Sequence, residues 1–118
     1  MLVNVHPDRN AGPLVGAFYD AWRRGGLRMV RSPGGSPSWA LLEAARGGVV
    51  YLNLWSTRPA EAYDLAAGVM LVRGASGDVT DLEGKSIHIF HHQGPFIAGV
   101  DEYARRKVAT IASKIVSG

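Results

Sequence analysis

The sequence predicts an α/β domain built on a mixed sheet of about five strands with flanking helices. Short runs rich in Val, Leu and Ile alternate with longer runs in which apolar residues recur every three or four positions. Gly, Pro and Ser stand between these runs, where turns and helix ends favour them. Three strand–helix units come first, and such units pair their strands in parallel, whereas the shorter strands that follow allow a mixed sheet.

The N-terminal part predicts two strands around one helix. The runs LVNVH and LRMVR have the length and composition of short strands. Between them, Leu14, Phe18 and Trp22 recur every fourth residue, which predicts a helix that buries this stripe and ends at Gly25.

A second helix is predicted from the run SPSWALLEAARGG. Ser36 suits its N-cap, Pro37 its first turn and Gly47 its C-terminal cap. The apolar run VVYLNLW that follows predicts a strand that is at least half buried.

The third helix is predicted from AEAYDLAAGVMLVRGAS. Leu65, Val69 and Val72 form one apolar stripe, and the small residues of the run AAG allow close packing beside it. This interpretation puts Asp64 in the first turn of the helix.

The C-terminal part predicts three short strands and a last helix. GDVTDLEGKS predicts a short strand between turns, and IHIFHH and PFIAGV predict two more strands. The helix DEYARRKVATIASKIV is predicted to be capped by Asp101. Its inward residues are Val108, Ile111, Ala112 and Ile115.

Composition narrows the function classes. The 118 residues fit a single α/β domain, residues 1–118, and the absence of cysteine excludes disulfides and thiolate chemistry. The net charge is +3, but the basic residues are scattered, which argues against nucleic acid as a partner. No signal-like or membrane-spanning run is present in the sequence, so we expect a cytoplasmic protein without a membrane partner.

Two features have both a functional and a structural interpretation. Asp64 is either a hard-cation ligand or a carboxylate that favours the positive end of a helix, and spacing alone favours the second. The run RSPGGSPS, which starts at Arg31, could hold an anion at a helix start or form an ordinary strand-to-helix turn.

Two clusters of titratable residues favour structural roles. His88, His91 and His92 lack a neighbouring cysteine or acidic partner, so we expect them in loops or facing solvent. Asp78, Asp81 and Glu83 lack the ligand series of an EF-hand, so turn formation explains them better. Metal binding by the histidines is the less favoured interpretation.

The stretch YDLAAGVMLVRGASGDVTDLEG resembles the second signature of the inositol monophosphatase family, which includes sugar and fructose-1,6-bisphosphate phosphatases. That signature has an Asp, a small-residue helix, an Ala-Gly-Gly-like turn and Val-x-Asp-x-x-Gly. The run GGSPSWALLEAARGG also resembles the Gly-Ser helix of the family, so the resemblance spans most of the chain but only the C-terminal half of the family's fold. The positions that fit the signature are Asp64, Ala66, Ala67, Gly68, Leu71, Val72, Ala75, Gly77, Val79, Asp81 and Gly84.

The resemblance implies roles for individual residues. Asp64 corresponds to the metal-ligating Asp of the family's C-terminal domain and would bind the second, looser Mg²⁺. Asn53 falls near the strand-end carboxylate that contacts a substrate hydroxyl, and Gly35 and Ser36 match the Gly-Ser turn of the substrate pocket. Arg31 is one residue further from this turn than the family's arginine.

The departures from the family pattern limit the implied activity. Gly74 stands where the family has Glu, and Ser76 stands where the turn has its middle Gly. The Glu-Glu and Asp-Pro-x-Asp-Gly-Thr elements, which supply the other metal ligands and activate water, are missing from this chain. The resemblance therefore implies the C-terminal half of a phosphatase. This half would be active only together with a separately encoded N-terminal half.

The alternative is a non-catalytic interaction or ligand-binding module derived from that family, and a basic nucleic-acid binder is a weaker third hypothesis. Without its other half, the chain is expected to cover its exposed apolar face by self-association into a homo-oligomer.

Overall fold

The computed structural model describes residues 2–6, 12–31, 37–53, 59–88 and 94–116, and it confirms a mixed α/β architecture. No helix within this part of the chain is long and apolar enough to cross a bilayer. In chain order the elements are β1 (Leu2–His6), α1 (Gly12–Arg23), β2 (Met29–Arg31), α2 (Pro37–Arg46), β3 (Val49–Asn53), α3 (Pro59–Gly74), β4 (Asp78–Thr80), β5 (Phe96–Gly99) and α4 (Glu102–Val116).

The strands form one sheet in the order β2-β1-β3-β5-β4. β1 pairs in parallel with both β2 and β3, as expected for strand–helix–strand units. β5 is antiparallel to β3 and to β4, so the sheet changes from parallel to antiparallel pairing at β3.

Each face of the sheet is covered by a pair of helices. Helices α1 and α4 pack together on one face, over a core that includes Phe18, Leu52 and Val108. Helices α2 and α3 cover the other face, over a core that includes Leu41 and Tyr51. Alternate residues of β3 point into the two cores, which is why this strand is apolar on both faces.

The predicted helix ends are confirmed where the structure describes them. Gly25 has a φ of 80° and follows α1, with the Gly26 amide donating to the Ala21 carbonyl at 2.9 Å. Gly47 has a φ of 90° after α2. The carboxylate of Asp101 accepts a hydrogen bond from the Ala104 amide at 3.1 Å and so caps α4.

Two expectations differ from the structure. Trp22 was expected to share a buried stripe with Phe18, but it is 45% exposed and packs edge-to-face on Tyr19, whereas Phe18 is fully buried. Ile87 and His88 do not belong to a strand, since Ser86 makes only an isolated bridge to Thr80. The rest of the predicted strand IHIFHH lies outside the described residues.

Helix α3 makes a close contact with α2. A Cβ atom added at Gly68 would lie 2.7 Å from the Cβ of Leu41, which is below any ordinary carbon–carbon contact. The expected close packing of the small residues is therefore confirmed at Gly68, on the same buried face as Leu65, Val69 and Val72.

The turn after α3 depends on one residue with a left-handed backbone. Ser76 has a φ of 67°, and it is the one non-glycine residue with a positive φ in the described part of the chain. The Ser76 amide donates to the Arg73 carbonyl at 3.1 Å, and the Gly77 amide donates to the Val72 carbonyl at 2.9 Å. This pair of bonds is the Schellman arrangement, whose left-handed position favours glycine.

The next residue, Gly77, has to be glycine because of a close contact and not because of its backbone conformation. A Cβ atom at this position would lie 2.6 Å from the carbonyl oxygen of Gly99 and 2.8 Å from the Cα of Val100. The backbone before β4 therefore touches the backbone at the end of β5, and a side chain would separate them.

We expect Gly68→Ala to lower the free energy of unfolding by about 1–2 kcal/mol, because the clash with Leu41 outweighs the gain in helix propensity. Gly74→Ala, in the same helix, meets no atom within 4 Å and is the matched control. It should raise stability by about 0.5–1 kcal/mol. Urea unfolding of both variants measures the difference, and equal effects would contradict the close contact.

Ser76→Gly should raise the free energy of unfolding by about 0.5–1 kcal/mol, since relief of the left-handed backbone outweighs the added entropy of the unfolded chain. Ala75→Gly, one residue earlier and outside the left-handed region, should instead lower it. Loss of stability in Ser76→Gly, measured by the same urea unfolding, would show that the turn is not strained.

Candidate functional site

The carboxyl ends of the parallel strands bring the predicted substrate residues to one edge of the sheet. Arg31 is the last residue of β2, and Asn53 is the last residue of β3. The register pairs Asn4 of β1 with Arg31 and His6 of β1 with Asn53, so all three strands end at this edge. Ligands of open α/β sheets bind at this edge.

The helices that leave this edge go to opposite faces of the sheet. The chain passes from β1 to α1 on one face, and from β3 to α3 on the other, although β1 and β3 are neighbours. Such a divergence of neighbouring connections opens a crevice between them, which is the usual ligand position in this class of sheet. His6 and Asn53 are the strand-end residues at this point.

His6 is a position that the sequence analysis did not single out. Its backbone pairs in register with that of Asn53 at the divergence of β1 and β3. The signal was available, because a polar residue at the carboxyl end of a predicted parallel strand lies at the ligand-binding edge. It was overlooked since the strand order could not be read from the chain.

Asn53 is buried and belongs to a polar pair on the α2–α3 side of the sheet. It is 2% exposed, and its Nδ2 donates to the Oη of Tyr51 at 2.8 Å. Tyr51 in turn packs edge-to-face on Phe96, with ring centroids 5.8 Å apart. Burial raises the pKa of Tyr51 and outweighs the opposite effect of the Asn53 hydrogen bond, so the phenol stays protonated.

This pair gives Asn53 a structural role in addition to the predicted one. A tyrosine hydroxyl buried among apolar residues needs a hydrogen-bond partner, and the amide of Asn53 supplies it. The two residues are separated by one position along β3 and therefore share a face of the sheet. Substrate contact by Asn53 remains a prediction.

Asp64 lies further along its helix than the sequence analysis placed it. Helix α3 begins at Pro59, so Asp64 is its sixth residue and lies in the second turn, not in the first. The influence of the helix dipole falls off within the first turn. An interaction with the helix dipole therefore explains the presence of Asp64 less well than it did when the sequence placed Asp64 in the first turn.

Four of the predicted positions lie partly or wholly outside the described structure. Gly35 and Ser36 belong to residues 32–36, which the structure does not describe, and the side chains of Arg31 and Asp64 are also outside the description. Their roles remain predictions.

The described residues do not assemble a metal site by themselves. No group of three or more His, Cys, Asp or Glu side chains that could hold a metal ion is present among them. His88 is exposed, as expected, whereas His91 and His92 lie outside the described residues. A Mg²⁺ ion bound at Asp64 would need oxygen ligands from beyond the described part of this chain.

The acidic cluster forms turns, as expected. Asp81 Oδ1 accepts hydrogen bonds from the Glu83 amide at 2.8 Å and from the Lys85 amide at 3.0 Å. Asp78 accepts hydrogen bonds from the Ser86 hydroxyl, from the Val79 amide at 2.8 Å and from Arg73 Nε at 3.3 Å. These bonds fold residues 81–87 back against β4.

A cleft of about 650 Å³ lies between β4 and α4, away from the predicted site. Its charged side chains are those of Asp78, Glu83, Glu102, Arg105 and Arg106. Arg106 pairs with Glu102 at 2.8 Å. None of the predicted substrate or metal residues lines it.

Comparison with solved structures finds the same fold in a group of phosphatases. The IMPase of Thermotoga maritima superposes with a TM-score of 0.73 at 22% identity, over 98% of this chain and 41% of that chain. The chain has an inositol monophosphatase-like fold. The extragenic suppressor protein suhB from Bartonella henselae gives a TM-score of 0.65 at 26% identity, over 96% of this chain and 41% of that chain.

A third inositol monophosphatase-like structure is staphylococcal inositol monophosphatase-1, described as an inhibitory complex soaked in LiCl. Its TM-score is 0.67 at 20% identity, over 93% of this chain and 38% of that chain. The chain thus spans about two fifths of the length of these structures. No family model and no curated protein matches the chain.

The hydrogen bonds at Asp78 make stability depend on pH. Partial burial raises the pKa of Asp78, but the bonds from Ser86, the Val79 amide and Arg73 outweigh it, so the pKa lies below its usual value. Ionised Asp78 therefore contributes its full stabilisation at pH values above the ordinary carboxyl pKa of about 3.9. This stabilisation is lost as the pH falls through the lower pKa that Asp78 has in the folded protein.

We expect Asp78→Asn to unfold more readily than the parent chain at neutral pH, with a difference that shrinks as the solution becomes strongly acidic. Ser86→Ala removes one donor and should move the Asp78 pKa upward in an NMR titration of the carboxyl carbon. A parent Asp78 that titrates at or above the usual carboxyl value would contradict the assignment.

Proposed function

We propose that residues 1–118 are the C-terminal half-domain of a Mg²⁺-dependent inositol or sugar phosphate monoesterase, inactive alone and completed by an N-terminal half. The observation that carries this proposal is topological. Arg31 and Asn53 end neighbouring parallel strands at the ligand-binding edge, and Asp64 lies on the helix that directly follows Asn53.

Asp64 would supply one carboxylate oxygen to the metal. Its position past the first turn of α3 supports this role, because a dipole effect explains it poorly there. Mg²⁺ bound near a phosphate ester polarises the phosphoryl group and lowers the pKa of water. One carboxylate holds such an ion only weakly against water, so the remaining ligands would come from the other half.

The sugar would lie against the carboxyl edge of the sheet. Asn53 would contact a substrate hydroxyl, Gly35 and Ser36 would line the pocket, and Arg31 would approach the negatively charged substrate. The amide of Asn53 is held in place by Tyr51 at 2.8 Å, which restricts its orientation. A substrate group at this position would meet an amide and not the carboxylate that the family resemblance implies.

A non-catalytic module derived from the same fold is the second candidate function. Its support comes from the turn after α3, where Gly74 replaces the Glu of the family pattern and Ser76 replaces its middle Gly. Ser76 adopts the left-handed backbone that the glycine would adopt, so the turn is kept although the sequence has drifted. Retention of Asp64 favours the phosphatase half.

Calorimetric titration of Mg²⁺ into the pure chain with inositol monophosphate present tests the proposal. We expect weak binding that is lost in Asp64→Asn and kept in Asp20→Asn, a control carboxylate that is exposed on α1. No phosphate should be released by any of the three proteins, because one carboxylate cannot assemble the metal site.

Equal binding by Asp64→Asn would contradict the role of Asp64. Mg²⁺-dependent release of phosphate by the pure chain would contradict its inactivity alone. Absence of binding in all three proteins would favour the non-catalytic module.

A further inference from the structure

We propose that the cleft between β4 and α4 is a binding site for a small hydroxylated carboxylate, such as a sugar acid, whose carboxylate pairs with Arg105 and whose hydroxyl group bonds to Thr80. The cleft has a volume of about 650 Å³, which lies in the usual range of small-molecule sites. None of the residues assigned to the phosphatase activity lines the cleft, so binding here is independent of that activity.

The cleft is built from packed elements. One wall is a single face of α4, because the lining residues between Glu102 and Ser113 recur at spacings of three and four. The other wall is β4 with the turn that follows it, and it includes Thr80 and Leu82. The Ser113 hydroxyl donates to the Leu82 carbonyl at 3.2 Å and so ties the two walls together. The site therefore exists before a ligand binds, as is usual for small-molecule sites.

Thr80 brings a buried hydroxyl group to the cleft. The residue is 5% exposed, and its hydroxyl has no hydrogen-bond partner among the residues that the structure describes. Thr80 pairs in register with Ile97, which belongs to the core under α1 and α4, so its side chain lies on the α4 side of the sheet. A buried hydroxyl without a partner is costly, and a polar group in the cleft would satisfy it.

Arg105 brings a positive charge to the same cleft. Its Nη1 donates to the Gly99 carbonyl at 2.7 Å, which fixes the position of the guanidinium group. Within the described ranges, no carboxylate forms an ion pair with Arg105. A guanidinium has several N–H donors, so the remaining donors are available to a ligand.

The other charges of the cleft are compensated by neighbouring side chains. These pairs are Arg73–Asp78 at 3.3 Å, Lys85–Glu83 at 3.8 Å and Arg106–Glu102 at 2.8 Å. In this part of the chain the charge of Arg105 is therefore left without a counter-charge. A carboxylate supplies one negative charge and matches the planar guanidinium through two parallel hydrogen bonds, whereas a phosphate monoester carries more charge than Arg105 alone compensates.

The spacing of the two groups determines the kind of carboxylate. Gly99, which holds Arg105, pairs in register with Asp78, and Thr80 follows Asp78 by two residues on the same face. Two residues of a strand span about 6.6 Å. A ligand that reaches both groups therefore carries a hydroxyl group several Å from its carboxylate. The side chains of Leu82 and Ala109 line the same cleft and can contact its carbon chain.

The cleft and the proposed substrate edge lie at different ends of β5. Asn53 pairs in register with Phe96, the first residue of β5, whereas Arg105 contacts Gly99, the last residue of that strand. Ligands at the two places therefore affect different backbone amides and can be distinguished.

Titration of D-gluconate into the ¹⁵N-labelled chain, followed through the amide resonances, tests the proposal. We expect saturable shifts at Thr80, Leu82 and Arg105 and none around Asn53. Hexanoate has a carbon chain of the same length without hydroxyl groups, and it should bind about tenfold more weakly. Inorganic phosphate should not displace gluconate.

Two variants separate the two contacts. Thr80→Val removes the hydroxyl and should weaken gluconate about tenfold while leaving hexanoate unchanged. It should not lower the free energy of unfolding, because the hydroxyl has no protein partner to lose. Arg105→Gln should abolish binding of both acids. Arg28→Gln makes the same change of charge at an exposed position outside the cleft, and it is the matched control.

Three results would overturn the proposal. The first is the absence of saturable shifts at the cleft with gluconate. The second is equal binding of gluconate by the parent chain and Thr80→Val, a comparison that holds even if loss of the Gly99 bond unfolds Arg105→Gln. The third is inorganic phosphate that binds the cleft as tightly as gluconate, which would indicate a general anion site.

Discussion

The burial of β3 on both faces is the constraint on which the rest of the structure depends. Val50 and Leu52 contribute to the core under α1 and α4, while Tyr51 contributes to the core under α2 and α3. The same strand pairs in parallel with β1 and antiparallel with β5. Both cores and both kinds of strand pairing therefore meet at five residues. This strand ends at the edge of the sheet where we propose that the substrate binds.

Close backbone approaches hold α3 and the following turn against this sheet. Gly68 lets α3 contact Leu41 of α2, and Gly77 lets the next segment contact the end of β5. These contacts set the position of the helix that carries Asp64. On the outer side of the same helix, Met70 and Leu71 are exposed.

Local patterns predicted the elements whose ends are determined by neighbouring residues. Gly25, Gly47 and Asp101 each end or begin a helix through bonds within a few residues, and such bonds can be read from the sequence. Trp22 was wrongly expected to be buried. Helical spacing alone does not show whether the last apolar residue of a helix still lies over the sheet. The run IHIFHH alternates like a strand, but Ile87 instead donates to Val79 from a segment folded back on β4.

The candidate site was predictable only in part. The residues Arg31 and Asn53 were identified from a family resemblance, and the strand order that brings them to one edge required the structure. The pairing of Asn53 with Tyr51 was not anticipated, since it depends on which face of the sheet is buried under α2 and α3. Asp64 was placed in the first turn of its helix, but it is the sixth residue of α3 counted from Pro59, and so it lies in the second turn.

Paramagnetic broadening by Mn²⁺ of the backbone amide resonances tests the central proposal, that Asp64 supplies one ligand to a metal ion at the carboxyl edge of the sheet. We expect selective broadening around Asp64 and at Asn53, at the carboxyl edge of the sheet. Broadening centred on the acidic turn of Asp78, Asp81 and Glu83, or no selective broadening at all, would contradict it.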